Sequence, residues 1–170
     1  MDEQITKIKN SNNNYIKAYN SKNSKFIKLG NWLVKESRIF INEGKEIKLN
    51  NNPNFKHGEI VKVDFGVNVG SELSNIHFAI VINNDDNNKV NNITVIPISS
   101  KKGYKRVSLG TILLPFDNGQ NKYNKESYAL ITQIKTISKK RIIKEKIKIV
   151  CKREIMNNII KELISLITFK

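Results

Sequence analysis

The stretch His57-Gly58-Glu59-Ile60-Val61-Lys62-Val63-Asp64-Phe65-Gly66 is where the chain changes its period. Val61, Val63 and Phe65 alternate with Lys62 and Asp64, the two-residue repeat of a strand that buries one face. Strand-like runs continue downstream. Phe78-Ala79-Ile80-Val81-Ile82 is an apolar run of buried-strand length, and Ile93 to Ile98 is another, with Pro97 suggesting an edge or a bulge. Arg106 to Leu109, Ile112 to Leu114, Tyr128 to Ile134 and Lys146 to Val150 are further short strand candidates. Ser138 to Arg141 fits a single helical turn. Many short strands separated by turn signals predict a small, strongly bent β-barrel.

Upstream the pattern is helical. Ile5, Ile8, Tyr15, Ile16 and Tyr19 fall near spacings of three and four, interrupted by the polar run Asn10 to Asn14. Phe26, Leu29, Leu33 and Phe40 line a second helical face with Trp32 beside it, Ser24 as its N-cap and Gly44 as its stop. At the other end Ile155, Ile159, Leu163 and Ile167 recur every four residues, an amphipathic C-terminal helix. The expected organisation is a helical extension over 1–49, a linker over 50–56 around Pro53, and a barrel domain with its C-terminal helix over 57–170. The fold class is α+β with a mainly β core.

Composition narrows the function. The chain has 170 residues with one cysteine, Cys151, and two histidines, His57 and His77. A disulfide framework and a cysteine- or histidine-rich metal centre are excluded, so no metal or other cofactor is expected. No apolar run is long enough to span a membrane, and the first residues lack a signal peptide's basic and apolar regions, so a cytoplasmic protein is expected. Lys plus Arg number 30 against 15 Asp plus Glu, a net charge of +15. A/T-rich codons account for part of the lysine, but not for its excess over glutamate. A polyanionic partner is the expectation. The charge is uneven: +6 over 1–56, −3 over 57–100 and +12 over 101–170. A nearly neutral scaffold is flanked by basic segments.

No phosphate-binding loop, dinucleotide fingerprint, zinc-protease helix or nucleophile elbow is present. Asn83 to Asn92 carries Asp85 and Asp86 but lacks the glycine and the bidentate glutamate of a calcium loop, so it reads as a solvated turn. Cys151 reads as a small core residue. Gly66-Val67-Asn68-Val69-Gly70-Ser71-Glu72 is a glycine-bracketed loop leaving the first strand. Its polar residues Ser71 and Glu72, then His77, then Ser99-Ser100 after the Ile93 strand, fall near strand ends.

Residues 57–66, Gly70-Ser71-Glu72, Ala79 to Asp85, Thr94 to Ser100 and Ser127 to Ile142 together resemble, in order, the toxins of the MazF/PemK family. The resemblance spans about residues 57–167 and leaves 1–56 outside, as in the family's longer members. It implies an SH3-like barrel with a C-terminal helix, a homodimer, and a metal-independent endoribonuclease that cuts single-stranded RNA at a short sequence. It also implies a cognate antitoxin that blocks the RNA groove.

Two departures bear on the chemistry. The family's catalytic arginine, part of an Arg-Pro pair, is replaced by His77 before Phe78, and its catalytic threonine by Ser99. In the implied reaction the ribose 2′-OH attacks its own phosphorus, giving a 2′,3′-cyclic phosphate and a 5′-OH. Histidine suits either proton transfer, whereas arginine mainly stabilises anions. Ser99 keeps a hydroxyl that donates to a phosphate oxygen, and Ser71, Glu72, Lys101, Lys102 and Arg106 are the candidate substrate contacts. Each has a plainer alternative. His77 fits a satisfied polar residue, Ser99 a strand-end cap, Lys101 and Lys102 a solvated turn, and Glu72 a structural acceptor or a partner orienting His77. Two rival functions share the barrel: a non-catalytic module that binds RNA or DNA, and a CcdB-like protein inhibitor of gyrase.

Overall fold

The structure, a computed structural model, describes residues 2–43, 53–114, 123–143 and 149–168. The chain divides into two units. One comprises Met1–Ile47 with Gly66–Ser71, and the other Lys48–Phe65 with Glu72–Lys170.

The first unit is helical. Helix α1 runs Asp2–Asn20, a 3-10 helix Ser24–Lys28, and helix α2 Leu29–Glu43. α1 passes through Asn12, Asn13 and Asn14 unbroken. Each asparagine costs only a few tenths of a kcal/mol against alanine, and no glycine or proline stands there to stop the helix. Asn23, not Ser24, caps the 3-10 helix, its side chain accepting from Lys25 N at 3.0 Å. On α2 the buried residues are Leu29 and Trp32, while Phe40 of the expected face is exposed. Gly44, the expected stop, lies outside the described residues, as do Asn50, Asn51 and Asn52 of the linker.

The second unit is a seven-stranded antiparallel sheet with one helix. Its strands are β1 (Ile60–Asp64), β2 (Ile76–Val81), β3 (Asn92–Ser99), β4 (Arg106–Leu114), β5 (Tyr123–Leu130), β6 (Lys135–Ser138) and β7 (Ile142–Ile143). Helix α3, Arg153–Ile167, follows. β1 pairs with β2, β2 with β3, β3 with β6, and β7 returns to β1. Only the 3-10 turn Lys139–Arg141 separates β6 from β7, so the two ends of this row are joined by three residues of chain. That short turn carries the chain from β6, paired with β3, to β7, paired with β1. Ser138 caps that turn through its hydroxyl, which accepts from Lys140 N.

Strand alternation sorts the interior. Val61, Val63, Phe65, Ala79, Val81, Ile93, Val95 and Ile137 form one buried cluster. Ile60, Ile80, Ile96, Ile98, Val107, Leu109, Ala129 and Ile131 form the other, with Met156 and Ile159 of α3. α3 thus seals the second cluster.

Three differences from expectation have physical causes. Lys62 and Asp64 are buried, because β1 is flanked by β2 and β7 and is covered on both faces. Pro97 lies within central β3, at the step where its neighbour changes from β6 to β5 and the ladder on that flank is interrupted. The two candidate strands of 106–114 are one strand, β4, bent by an irregularity between Ser108 and Gly110, where Gly110 takes φ +69°. Of the expected last strand, Lys146 to Lys148 lie outside the described residues, and Val150 makes a single bridge to Glu59.

The Asn83–Asn92 turn is not merely solvated. Lys139 Nζ and Asp86 Oδ1 meet at 2.6 Å with side chains 1% and 2% exposed. Asp86 Oδ2 accepts from Phe55 N at 2.9 Å, and Lys139 Nζ also donates to Asn87 O at 2.9 Å. One ion pair ties three chain segments together.

Candidate functional site

His77 lies on β2 opposite Val63 of β1. Its parity is that of Ala79 and Val81, so it continues the face of the first cluster to the strand's end. The β2–β3 register pairs Ala79 with Pro97. That is the last pair of this ladder; His77 and Ser99 each lie two residues beyond it, and Ser99 pairs with Tyr128 of β5.

The ring of His77 is held from two sides. Phe65 stands against it with ring centroids 6.5 Å apart. Nε2 lies 3.1 Å from the carbonyl oxygen of Ser74. A carbonyl only accepts, so Nε2 carries a proton and, in the neutral ring, Nδ1 holds the lone pair. Burial pushes the pKa below its ordinary 6.5, against the Ser74 and Ile98 carbonyls, which favour the charged ring. At neutral pH the ring is mainly neutral, the form able to accept a proton.

Ser99 ends β3, and its Oγ accepts from Lys101 N at 3.1 Å. The hydroxyl therefore caps the strand end, yet its own hydrogen remains available to a ligand. Arg106 opens β4 and donates through Nη1 to the Lys101 carbonyl. It staples the turn that Ser99 caps, and the Lys101 and Lys102 side chains stand exposed on that turn. Between them and Arg106 lies Tyr104, 82% exposed. The sequence offered little to single it out, since no periodicity marks a lone loop aromatic. An exposed ring among cations is a stacking platform for a nucleobase.

The partner that the structure gives His77 in this loop is the Ser74 carbonyl. The Glu72 carboxylate instead pairs with Lys135 at 3.7 Å, an exposed contact of little energetic weight. Gln133, also missed, holds the returning loop by accepting from Leu73 N at 3.1 Å. Ser71 is exposed and belongs to the helical unit. Among the described residues, no three His, Cys, Asp or Glu side chains gather where they could hold a metal ion, and no helix is long and apolar enough to cross a membrane.

Cys151 is no nucleophile. It packs against the α3 cluster, and burial pushes its thiol up to about 11. Native protein is expected to alkylate with iodoacetamide at pH 8 about a hundredfold more slowly than urea-unfolded protein, since so little thiolate is present. Equal rates would place Cys151 at the surface.

A family model described as a PemK-like, MazF-like toxin of a type II toxin-antitoxin system matches residues 56–167. No curated protein sequence matches the chain. Among solved structures, MazF from Deinococcus radiodurans (Form-I) is 17% identical, with a TM-score of 0.48 and coverage of 67% of this chain and 96% of that one. The MazE-MazF crystal structure (Form-II) from the same organism gives 17% identity, a TM-score of 0.46 and coverage of 69% and 99%. An endoribonuclease in complex with its cognate antitoxin, from a mycobacterial species, gives 14%, 0.44, and 68% and 92%.

Proposed function

This chain belongs to the PemK-like, MazF-like toxins of type II toxin-antitoxin systems, and we propose that it is an endoribonuclease cutting single-stranded RNA at a short sequence without a metal ion. The observation that carries this reading is a half-buried, mainly neutral His77 whose ring is held by the Ser74 carbonyl and by Phe65, together with Ser99, whose hydroxyl caps an exposed basic turn. His77 accepts the proton of the ribose 2′-OH as the 2′-oxygen bonds to phosphorus. The bond to the 5′-oxygen breaks, and that oxygen takes a proton from the imidazolium so formed or from solvent. The products are a 2′,3′-cyclic phosphate and a 5′-OH. The Ser99 hydroxyl donates to a non-bridging oxygen as negative charge builds, and Lys101 and Lys102 add positive potential. Ser71, Glu72 and Arg106 border the path of the strand, Arg106 by shaping the turn rather than by free charge. A cognate antitoxin and a second copy of this chain are the proposed protein partners, and the cytoplasm the proposed compartment.

The test is cleavage of a long single-stranded RNA in EDTA, with the ends mapped and their chemistry read. Cuts at a recurring short motif, ending in cyclic phosphate, are expected. A folded protein that cuts no RNA would instead favour the binding module, for which the replaced arginine and threonine are the specific reason. Tyr104→Ala is expected to raise KM by about 5- to 100-fold while kcat changes little, the worth of one base stacked on an aromatic ring. An unchanged KM would remove Tyr104 from the RNA path.

A further inference from the structure

The loop that follows β1 is carried by the helical extension. Gly66 takes φ +78°, and a Cβ built there would collide with the indole of Trp32. The indole of α2 therefore lies directly on the backbone at Gly66, an approach only glycine permits. Further along, Lys25 Nζ donates to the Gly70 carbonyl at 2.6 Å. Both ends of the segment Gly66–Ser71 are thus held by the helical unit. Trp32 and Leu29 are the buried residues of α2, whereas Val34, Phe40 and Ile41 are exposed. The fully buried residues of α2 thus lie in its first turn.

The held segment is continuous with the candidate site at both ends. Phe65, joined to Gly66 by one peptide bond, lies tilted against the His77 ring, and its N–H donates to Asn75 O at 3.0 Å. Ser71 leads through Glu72 to Ser74, whose carbonyl fixes His77 Nε2. A shift at Gly66 is transmitted covalently to both groups that orient the ring. At the tip, Val69 is 84% exposed between the two anchors.

We propose that α2 sets the shape of the β1–β2 loop, and that Trp32 is a positioning residue which selects the RNA sequence presented to His77. This rests on the nuclease reading above. It gives the extension a role in substrate choice rather than in chemistry. Releasing the clamp changes the conformation of Gly66–Ser71, the segment joined along the chain to Phe65 on one side and to Ser74 on the other.

The experiment compares wild type, Trp32→Ala, Trp32→Phe and Gly66→Ala on one long RNA. It reads the map of cut sites, with KM and kcat measured separately on the preferred site. Trp32→Ala is expected to broaden the map and raise KM by about 10- to 100-fold, with kcat within about threefold. Trp32→Phe is expected to restore most of the wild-type map. Trp32 is the only tryptophan, so its emission reports the clamp without RNA. Gly66→Ala is expected to shift that emission to the red and to reproduce the Trp32→Ala map. If Trp32→Ala leaves both the map and KM as in wild type, the inference fails and the nuclease reading stands. If activity falls only in proportion to folded protein, with the map intact, Trp32 is structural and the inference again fails. A wild type that cuts nothing overturns the nuclease reading and this inference with it.

Discussion

His77→Ala is expected to leave a folded protein whose RNA cleavage in EDTA is slower by about 100- to 10,000-fold, the usual worth of a positioned acid–base group. The ring is half-buried at the end of β2, not in the centre of either cluster. Its loss removes the contact with Phe65 and the interactions with the Ser74 and Ile98 carbonyls at the rim of the fold, so circular dichroism and the melting temperature should change little. The pH profile is the sharper test. Burial lowers the His77 pKa below 6.5. A base works when deprotonated, so kcat/KM should be flat near neutrality and fall as pH drops through that lowered pKa, approaching tenfold per unit. Were His77 the essential acid, activity would instead decline as pH rises through the same value. The stability sign is separate. Between the lowered pKa and 6.5 the unfolded chain binds more protons, so stability falls as pH drops through this window. Profiles should therefore be taken well below the melting temperature. Cleavage by His77→Ala at the wild-type rate would move the chemistry to Ser99 and the lysines.

The largest stability effect is expected at the Asp86–Lys139 pair. Removing either partner strands a charge that is 1–2% exposed. Asp86→Ala or Lys139→Met should cost about 3–5 kcal/mol, measured by urea unfolding. For a domain of this size the melting temperature should fall on the order of 10 °C. Asp86→Ala also leaves Phe55 N without its acceptor, and Lys139→Met releases the Asn87 carbonyl. The double variant Asp86→Leu with Lys139→Met should cost clearly less than the sum, because no lone charge remains buried. Single variants within about 0.5 kcal/mol of wild type would mean that water reaches the pair.

These two expectations differ in how visible they were beforehand. His77 and Ser99 stood out because polar residues ended apolar strand runs, within an ordered set of segments resembling one toxin family. Asp86 was invisible: an Asp among asparagines looks like a turn, and Lys139 like one cation in the run Lys139-Lys140-Arg141. Their partnership spans residues distant in sequence, and no local pattern encodes it. Glu72 is the reverse case. Proximity in sequence suggested that it orients His77, whereas the loop turns so that Ser74's carbonyl takes that place. The helical spacing places Trp32 beside the apolar face, yet with Leu29 it is the residue that α2 buries.

The sequence by itself determined the order of elements, because alternation and three-to-four spacing are properties of neighbours along the chain. It settled the helical ends, the strand runs from Ile60 to Ile98, the capped turn at Ser138 and the basic balance of the chain. The tertiary structure alone decided what register and loop closure decide. It held the His77 ring between Phe65 and the Ser74 carbonyl, led β6 into β7 through the Lys139–Arg141 turn, buried Lys62 and Asp64, and seated the Trp32 indole on the backbone of Gly66. Those outcomes depend on which distant segments come to share a surface. The free energy that selects them comes from burying apolar area and satisfying polar groups across the whole fold, and local periodicity does not carry that information.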